Sequence, residues 1–383
     1  MEKFSLPGKK ILMIRNAYSY DFGGGERMPV DIAAELTLLG FNVLIVSQSK
    51  KLLDYASSKN IKSIRGWWWS HQNWSGYRVV FTPVYFIWQL LLMVWYLTLF
   101  IKHRPQVIHA QSKDDFIAAT LAGRMLGKKI VWSDQADLKY IYHNVFTWNK
   151  NPVGKLVWLC GKLASCVILT SQSDKFLIEQ AVNRKLPKQY RIVYNGIPDQ
   201  PELINKQRSG KITVFAATSR LVTAKGIGEL IEAFKRLSKE HSDIELWLFG
   251  EGPEETKFKK MAEGDDRIFF KGFPRNTLEQ VAKADIFVHP SYLEGFSISL
   301  IEAAMLAKPI IACRVGGNPE IVTSNVNGFL VPEKDVAALQ AAMETLATEK
   351  DLRERFGKKS RELYEANFEL SRVVKEEYLK IYA

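Results

Sequence analysis

The chain has 383 residues, more than one hydrophobic core normally covers, so two domains are expected. Its 47% apolar and 25% charged content fit a globular protein, and the net charge of +12 resides in residues 1–200, where 26 Lys+Arg face 13 Asp+Glu. Three cysteines, Cys160, Cys166 and Cys313, are odd in number and lack metal-ligand spacing, which points to thiols in a reducing compartment and against a disulfide framework.

The start, MEKFSLPGKKILMIRN, has no apolar stretch before a small-residue cleavage site, so no secretory leader is expected. KILMIRN (10–16) is a short apolar run ending in a glycine-rich turn. ERMPVDIAAELTLLG has helical spacing, and FNVLIVS is the next apolar run, so the chain opens as a βαβ unit of a parallel sheet. Between Arg78 and Lys102 no charged residue interrupts the segment, and PVYFIWQLLLMVWYLTLFIK reads as a helix of some twenty residues, roughly 30 Å long and enough to cross a bilayer. Crossing would put VIHA (107–110) on the opposite side from KILMIRN, so two placements stay open: a helix buried in the first domain, or one partly embedded in a leaflet. Further buried strands are expected at VIHA, KIVWS (129–133), CVILTS (166–171) and RIVYNG (191–196). After the polar stretch 199–211 the pattern begins again, with strands at ITVFAAT, IELWLFG, RIFFKGF, IFVHPS and PIIACR. The expected architecture is α/β: two doubly wound, Rossmann-like domains, 1–198 and 199–369, with a last helix near 370–383 packing back on the first.

The chemistry-bearing residues gather at strand ends. In SYLEGFSISLIEAAMLAKP (291–309), Glu294 stands just before a helix start and Glu302 inside the helix. The free N–H groups of Ser297, Ile298 and Ser299 would face an anion there, and Glu302 could reach vicinal ribose hydroxyls. Taken alone, this is also an amphipathic helix with two surface carboxylates. TSRLVTAKG (218–226) sets Arg220 and Lys225 on a short loop after a strand, two cations that suit a diphosphate. GGGER (23–27) puts Gly24 and Gly25 where backbone amides can approach phosphate closely. GGNPEIV (316–322) and NGFLV (327–331) complete the pattern.

Together these motifs resemble the retaining GT-B glycosyltransferases of family 4: a GGxE-type turn at Gly23–Glu26, the pair Arg220…Lys225–Gly226, Asn195–Gly196–Ile197 at the domain link, and Glu294…Glu302. The resemblance implies two domains facing a central cleft. It implies that Glu302 holds the donor ribose, Arg220 and Lys225 neutralise the diphosphate, and Glu294 with Ser297, Ile298 and Ser299 contacts donor sugar and phosphates. Gly24 and Gly25 would face the diphosphate across the cleft, and the backbone around Phe273 would read the base. No metal or other cofactor is implied, because cations, amides and a helix dipole stabilise the leaving group. Relatives often carry a histidine where this chain has Gln135, and another where it has Gln111. Glutamine can donate a hydrogen bond but cannot become cationic. His109, Asp134 and Asp137 are candidate acceptor contacts, the two aspartates being equally suited to capping a helix start.

Nine of the ten tryptophans lie in the first half, and IRGWWWSHQNWSGYR (64–78) holds Trp67, Trp68, Trp69 and Trp74 between arginines. Interfacial indoles on a basic face beside an apolar helix suit an enzyme that works on a lipid-linked acceptor at an anionic membrane. An aromatic floor for a soluble acceptor is the alternative. The expected function is transfer of a sugar from a nucleotide-sugar, UDP- before GDP-, to a glycan or lipid-linked acceptor on the cytoplasmic face of the plasma membrane. A nucleic-acid partner is not expected, since no reading module is visible. An inactive scaffold is disfavoured by the intact Glu294, Glu302, Arg220 and Lys225.

Overall fold

The computed structural model describes residues 8–16, 23–67, 82–135, 138–142, 152–204, 211–274 and 276–383. The chain forms two compact units, residues 1–196 with 370–383, and residues 197–369. In the first, strands β1 (Lys10–Ile14), β2 (Asn42–Ser47), β3 (Lys62–Arg65), β4 (Val107–Ala110), β5 (Lys129–Ser133), β6 (Cys166–Leu169) and β7 (Tyr190–Ile192) form a parallel sheet in the order β3-β2-β1-β4-β5-β6-β7. Helices α1 (Gly24–Leu38), α2 (Lys50–Ser58), α3 (Thr82–His103), α4 (Phe116–Met125), α5 (Leu138–Tyr142), α6 (Pro152–Leu163) and α7 (Gln172–Val182) connect them. Alternate residues of a strand serve opposite faces. Leu12, Ile14, Val46 and Ile108 pack in one core with α3 and α4, while Ile11, Met13, Ile45 and Val107 pack in another with α1, α2 and the C-terminal run. Burial on both faces is why the strands read as continuous apolar runs. β3 does not read that way. It is an edge strand of largely exposed residues, KSIR.

The C-terminal run Leu370–Tyr382 belongs to this first unit. It buries Tyr378 and Tyr382 completely, or nearly so, and Lys9 Nζ donates to the carbonyl of Ala383 at 3.1 Å.

α3 is long and apolar enough to cross a membrane by length and composition. It nevertheless links two strands of one parallel sheet, and its Tyr85, Trp88, Leu92, Tyr96, Leu99 and Phe100 lie in the core. The rest of its surface is also apolar. Val84, Ile87, Leu90, Leu91, Val94 and Ile101 are all more than half exposed. The helix is therefore neither wholly core nor wholly free.

The second unit repeats the architecture. β8 (Thr213–Thr218), β9 (Ile244–Phe249), β10 (Ile268–Gly272), β11 (Ile286–His289), β12 (Ile310–Cys313) and β13 (Gly328–Val331) run in the order β10-β9-β8-β11-β12-β13. α8 (Ile227–Leu237), α9 (Glu255–Ala262), α10 (Thr277–Val281), α11 (Ile298–Met305), α12 (Val336–Thr348) and α13 (Lys350–Asn367) flank it. Its ends are tied by Arg361, which donates to both oxygens of Asp199 at 2.7 and 2.6 Å. The strand order reverses between β8 and β11, and in open α/β sheets ligands bind outside the carboxyl ends of strands at such a point.

Candidate active site

Both loops at that switch point carry the expected residues. Arg220 follows β8, exposed and with no side-chain partner among the described residues. Lys225 closes a short 3-10 turn, and Gly226 then takes φ 67°, where a side chain is strained. A Cβ on Gly226 would also lie 2.1 Å from the Pro290 carbonyl oxygen, so only glycine lets the β8 loop settle against the loop after β11. The contact brings Lys225 to Glu294, Nζ to Oε1 at 2.5 Å.

His289, the last residue of β11, completes the cluster, its Nε2 being 2.9 Å from the same Glu294 oxygen. A carboxylate only accepts, so the shared proton belongs to Nε2. Burial alone would raise the Glu294 pKa, but His289 and then Lys225 outweigh it and hold the carboxyl far below its usual range. Ser297 Oγ lies 3.0 Å from Ser299 Oγ and 3.3 Å from His289 Nε2. Sequence reasoning passed over His289. The signal was there in its place at the end of an apolar strand, five residues before Glu294.

Ser297 is the N-cap of α11, and the first intrahelical bond runs from Ile301 N–H to the Ser297 carbonyl at 3.3 Å. The amides of Ile298, Ser299 and Leu300 thus have no acceptor within the helix, and the positive dipole end favours an anion there. Glu302, half-buried, stands about one turn further along. Gly316 holds the Glu294 backbone in place. It adopts φ 51°, and a Cβ there would lie 2.0 Å from the Glu294 carbonyl oxygen. Asn318 and Asn327 of the two flanking motifs serve the turns themselves, bonding to the Cys313 carbonyl (3.0 Å) and to Thr323 N–H (2.7 Å). Phe273 lies beyond β10, half-exposed after Gly272 at φ 61°. The ensemble offers one free cation, one paired cation, helix amides and two hydroxyls to a phosphate-bearing ligand, with a carboxylate beyond for hydroxyl groups.

In the first unit, Gly24 and Gly25 are the first two residues of α1, and their amides lie in the unbonded first turn. Glu26 accepts from Gly23 N–H at 3.1 Å and lies 3.6 Å from Arg15, so it braces the turn. Gln135 is half-buried, its Oε1 accepting from Asn195 Nδ2 at 3.4 Å. His109 corrects the expectation of an acceptor contact, because its ring is wholly buried. Nε2 meets Ser133 Oγ at 2.7 Å and Nδ1 accepts from Tyr382 at 2.7 Å, and burial pushes its pKa down to about 3. It is a neutral core histidine. Asp134 is likewise buried, and its Oδ1 accepts from Leu138 N–H at 3.0 Å, the helix-start role. Trp67 is 47% exposed and meets Trp95 of α3 edge-on, centroids 6.3 Å apart. Trp68, Trp69, Trp74 and Asp137 lie outside the described residues.

Among the described residues, Glu240, His241 and Glu344 bring potential metal-ligand atoms within 4.8 Å of one another. They stand between α8 and β9 and on α12, and His241 precedes the amino end of β9, away from the carboxyl-end loops that carry Arg220 and Glu294.

Residues 199–363 match the family described as glycosyl transferases group 1, and residues 22–200 match glycosyltransferase family 4. The chain is 25% identical over 274 residues to a sulfoquinovosyl transferase of Arabidopsis thaliana, covering 68% of this chain and 53% of that one. It is 26% identical over 243 residues to the gpi3 subunit of phosphatidylinositol N-acetylglucosaminyltransferase of Schizosaccharomyces pombe, covering 61% and 52%. The chain thus spans about half the length of these curated relatives. The crystal structure of HepE from Anabaena in complex with UDP and glucose shares the fold, with TM-score 0.75 and 19% identity over 97% of this chain and 99% of that one. With the two matches running from residue 22 to residue 363 across both parallel-sheet units, the chain belongs to the group 1, family 4 glycosyltransferases of the GT-B fold.

Proposed function

We propose that this protein transfers a sugar from a UDP-sugar, with retention at the anomeric carbon, to a glycan acceptor carried on a lipid at the cytoplasmic leaflet. The observation that carries the reading is the cluster at the β8–β11 switch point: Arg220, Lys225 on Glu294, His289 and the free amides of α11. Arg220 and the α11 amides bind the diphosphate, and Glu302 takes the ribose hydroxyls. As the bond from the anomeric carbon to the phosphate oxygen breaks, Lys225 and Arg220 stabilise the charge that grows on the leaving phosphate. The acceptor hydroxyl attacks the same face of the sugar, and its proton passes to the departing phosphate oxygen. These cations and amides do the work without a resident metal, so transfer survives chelation. Gln135 orients the sugar or acceptor as a neutral hydrogen-bonding group.

The UDP preference is supported by the Anabaena neighbour, whose structure holds UDP and glucose. The lipid-borne acceptor is supported by the fission-yeast relative named for phosphatidylinositol and by the exposed apolar face of α3. The test is direct. Thermal shift against UDP, GDP and their sugars identifies the donor, and product analysis with chelator present follows transfer and anomeric configuration. Binding of UDP and a product with the donor's anomeric configuration are expected. Absence of any nucleoside diphosphate binding would overturn the reading.

A further inference from the structure

A groove of about 580 Å³ opens in the first unit between the sheet and the last turn of α3. The volume is that of a small-molecule site, which typically spans roughly 300–1,000 Å³. Its floor is Leu12, Leu44 and Ile64, the last two only partly buried, and its rim is Lys10, Lys62 and His103. The register explains the arrangement. Leu12 pairs with Leu44 and Leu44 with Lys62, and these even-numbered positions point to the α3 side of the sheet. The edge half of that face keeps an apolar strip with cations at its amino end.

No Asp or Glu lines the groove, and neither Lys10 nor Lys62 has a side-chain partner among the described residues. His103 Nε2 is buried without a hydrogen-bond partner. Burial, then the charges of Lys102 and Lys10, lower the His103 pKa, so cationic groups crowd here with no anion among the lining residues. The groove also lies at the amino ends of β1 to β3, whereas chemistry in open α/β sheets takes place at the carboxyl ends. The groove is therefore not part of the cluster at the β8–β11 switch point. His103 is on the same side of α3 as the buried Leu99 and Phe100, so the groove opens at the sheet-facing side of the helix end.

We propose that this groove seats one anionic phospholipid of the leaflet, an acyl chain along Leu12, Leu44 and Ile64 and the phosphate between Lys10 and Lys62. The two lysines are two strand spacings apart and offset by two residues along the strands, roughly 12 Å, which their side chains reach across. The proposal rests on the reading of α3 as a leaflet-facing helix, and it makes the enzyme's membrane attachment lipid-selective.

The probe is monomeric dihexanoyl phosphatidylglycerol, with dihexanoyl phosphatidylcholine and glycerol phosphate as controls, read by calorimetry on the full chain. The anionic lipid alone is expected to bind. Paired Lys10→Glu and Lys62→Glu should weaken it tenfold or more, and Asn42→Trp, which fills the groove without changing charge, should do the same. Both variants alter exposed residues, and a melting curve verifies the fold. A Leu91→Glu and Val94→Glu variant should lose vesicles of phosphatidylcholine with phosphatidylglycerol yet keep the short-chain lipid, which separates failure of the leaflet reading from failure of the groove. Unchanged lipid binding by both folded groove variants, equal binding of glycerol phosphate, or no binding by the parent would overturn the proposal.

Discussion

At the scale of single residues, the proposed function assigns Arg220 and Lys225 to the same phosphate in different settings. Replacing either with alanine should lower turnover by roughly 10²–10³, the effect of removing one preorganised donor from a developing anion. Stability should separate them. Arg220 is exposed and without a partner among the described residues, so Arg220→Ala should leave the melting temperature near that of the parent. Lys225→Ala strips one of the two partners from a carboxylate whose side chain is 11% exposed, and should lower the melting temperature measurably. Near-normal turnover in both variants would refute the assignment.

Two buried groups of the first unit set opposite pH dependences. His109 has a pKa near 3 against an ordinary 6.5, because burial disfavours its charge. Between those values the unfolded chain binds a proton that the folded chain does not, so stability falls as pH drops below 6.5. Asp115 has a pKa raised to about 8 from 3.8, chiefly by burial, with Tyr96 donating to its Oδ1 at 2.7 Å. Here the folded chain holds the extra proton, so stability falls as pH rises from 4 towards 8. Each slope reaches ~1.4 kcal/mol per pH unit, and between 4 and 6.5 they oppose each other. His109→Gln should leave the Asp115 slope unopposed, so that stability rises as pH drops from 6.5 to 4. Asp115→Asn should uncover the His109 slope, so that stability falls as pH drops below 6.5, and should flatten the profile between 6.5 and 8. Urea denaturation across this range reads both, and parallel profiles for parent and variants would count against the assigned protonation states.

At the scale of elements, α3 shows what composition leaves undecided. With almost no polar residue to mark a solvent face, its periodicity does not say which side is buried; packing against α4 and the sheet decides it. Leu91 and Leu92 are neighbours with opposite fates, more than half exposed and fully buried. Leu92→Ala should cost about 2–5 kcal/mol in unfolding free energy. Leu91→Glu should leave stability within about 0.5 kcal/mol and weaken vesicle binding. Equal destabilisation by both would mean that the exposed face is covered in the protein's working state. Most strands stand within a residue or two of the apolar runs that announced them, as VIHA and KIVWS do without a shift. β3 was invisible to that criterion, since an exposed edge strand needs no apolar run.

At the scale of the whole molecule, the chain leaves the first unit at 196, builds the second, and returns for its last fourteen residues, 370–383. Those residues supply Tyr378, Tyr382 and Ile381 to the core on the α1 side of the first sheet, and Tyr382 closes over His109. Deleting 370–383 should therefore unfold the first unit while sparing the second, which has its own core and the Arg361–Asp199 tie. Calorimetry should show one of two transitions lost, and the remaining one should still gain about 2.7 kcal/mol from UDP at 100 times its dissociation constant. Retention of both transitions would show that the C-terminal run is dispensable.

The alternation of apolar runs with helical spacing, and the glycines and cations placed just after those runs, were enough to read two parallel α/β units and the loops that meet at the β8–β11 switch point. Those features are local: strand burial on both faces and a tight turn at Gly226 are encoded within a few residues. The sequence was silent where the answer depends on what packs over a residue from far along the chain. His109 and Tyr382 are 273 positions apart, and Lys225 and Glu294 are 69 apart. Only the assembled sheets make the first histidine a sealed core residue and bring His289 and Lys225 to one carboxylate, because burial and long-range pairing are properties of topology rather than of any local pattern.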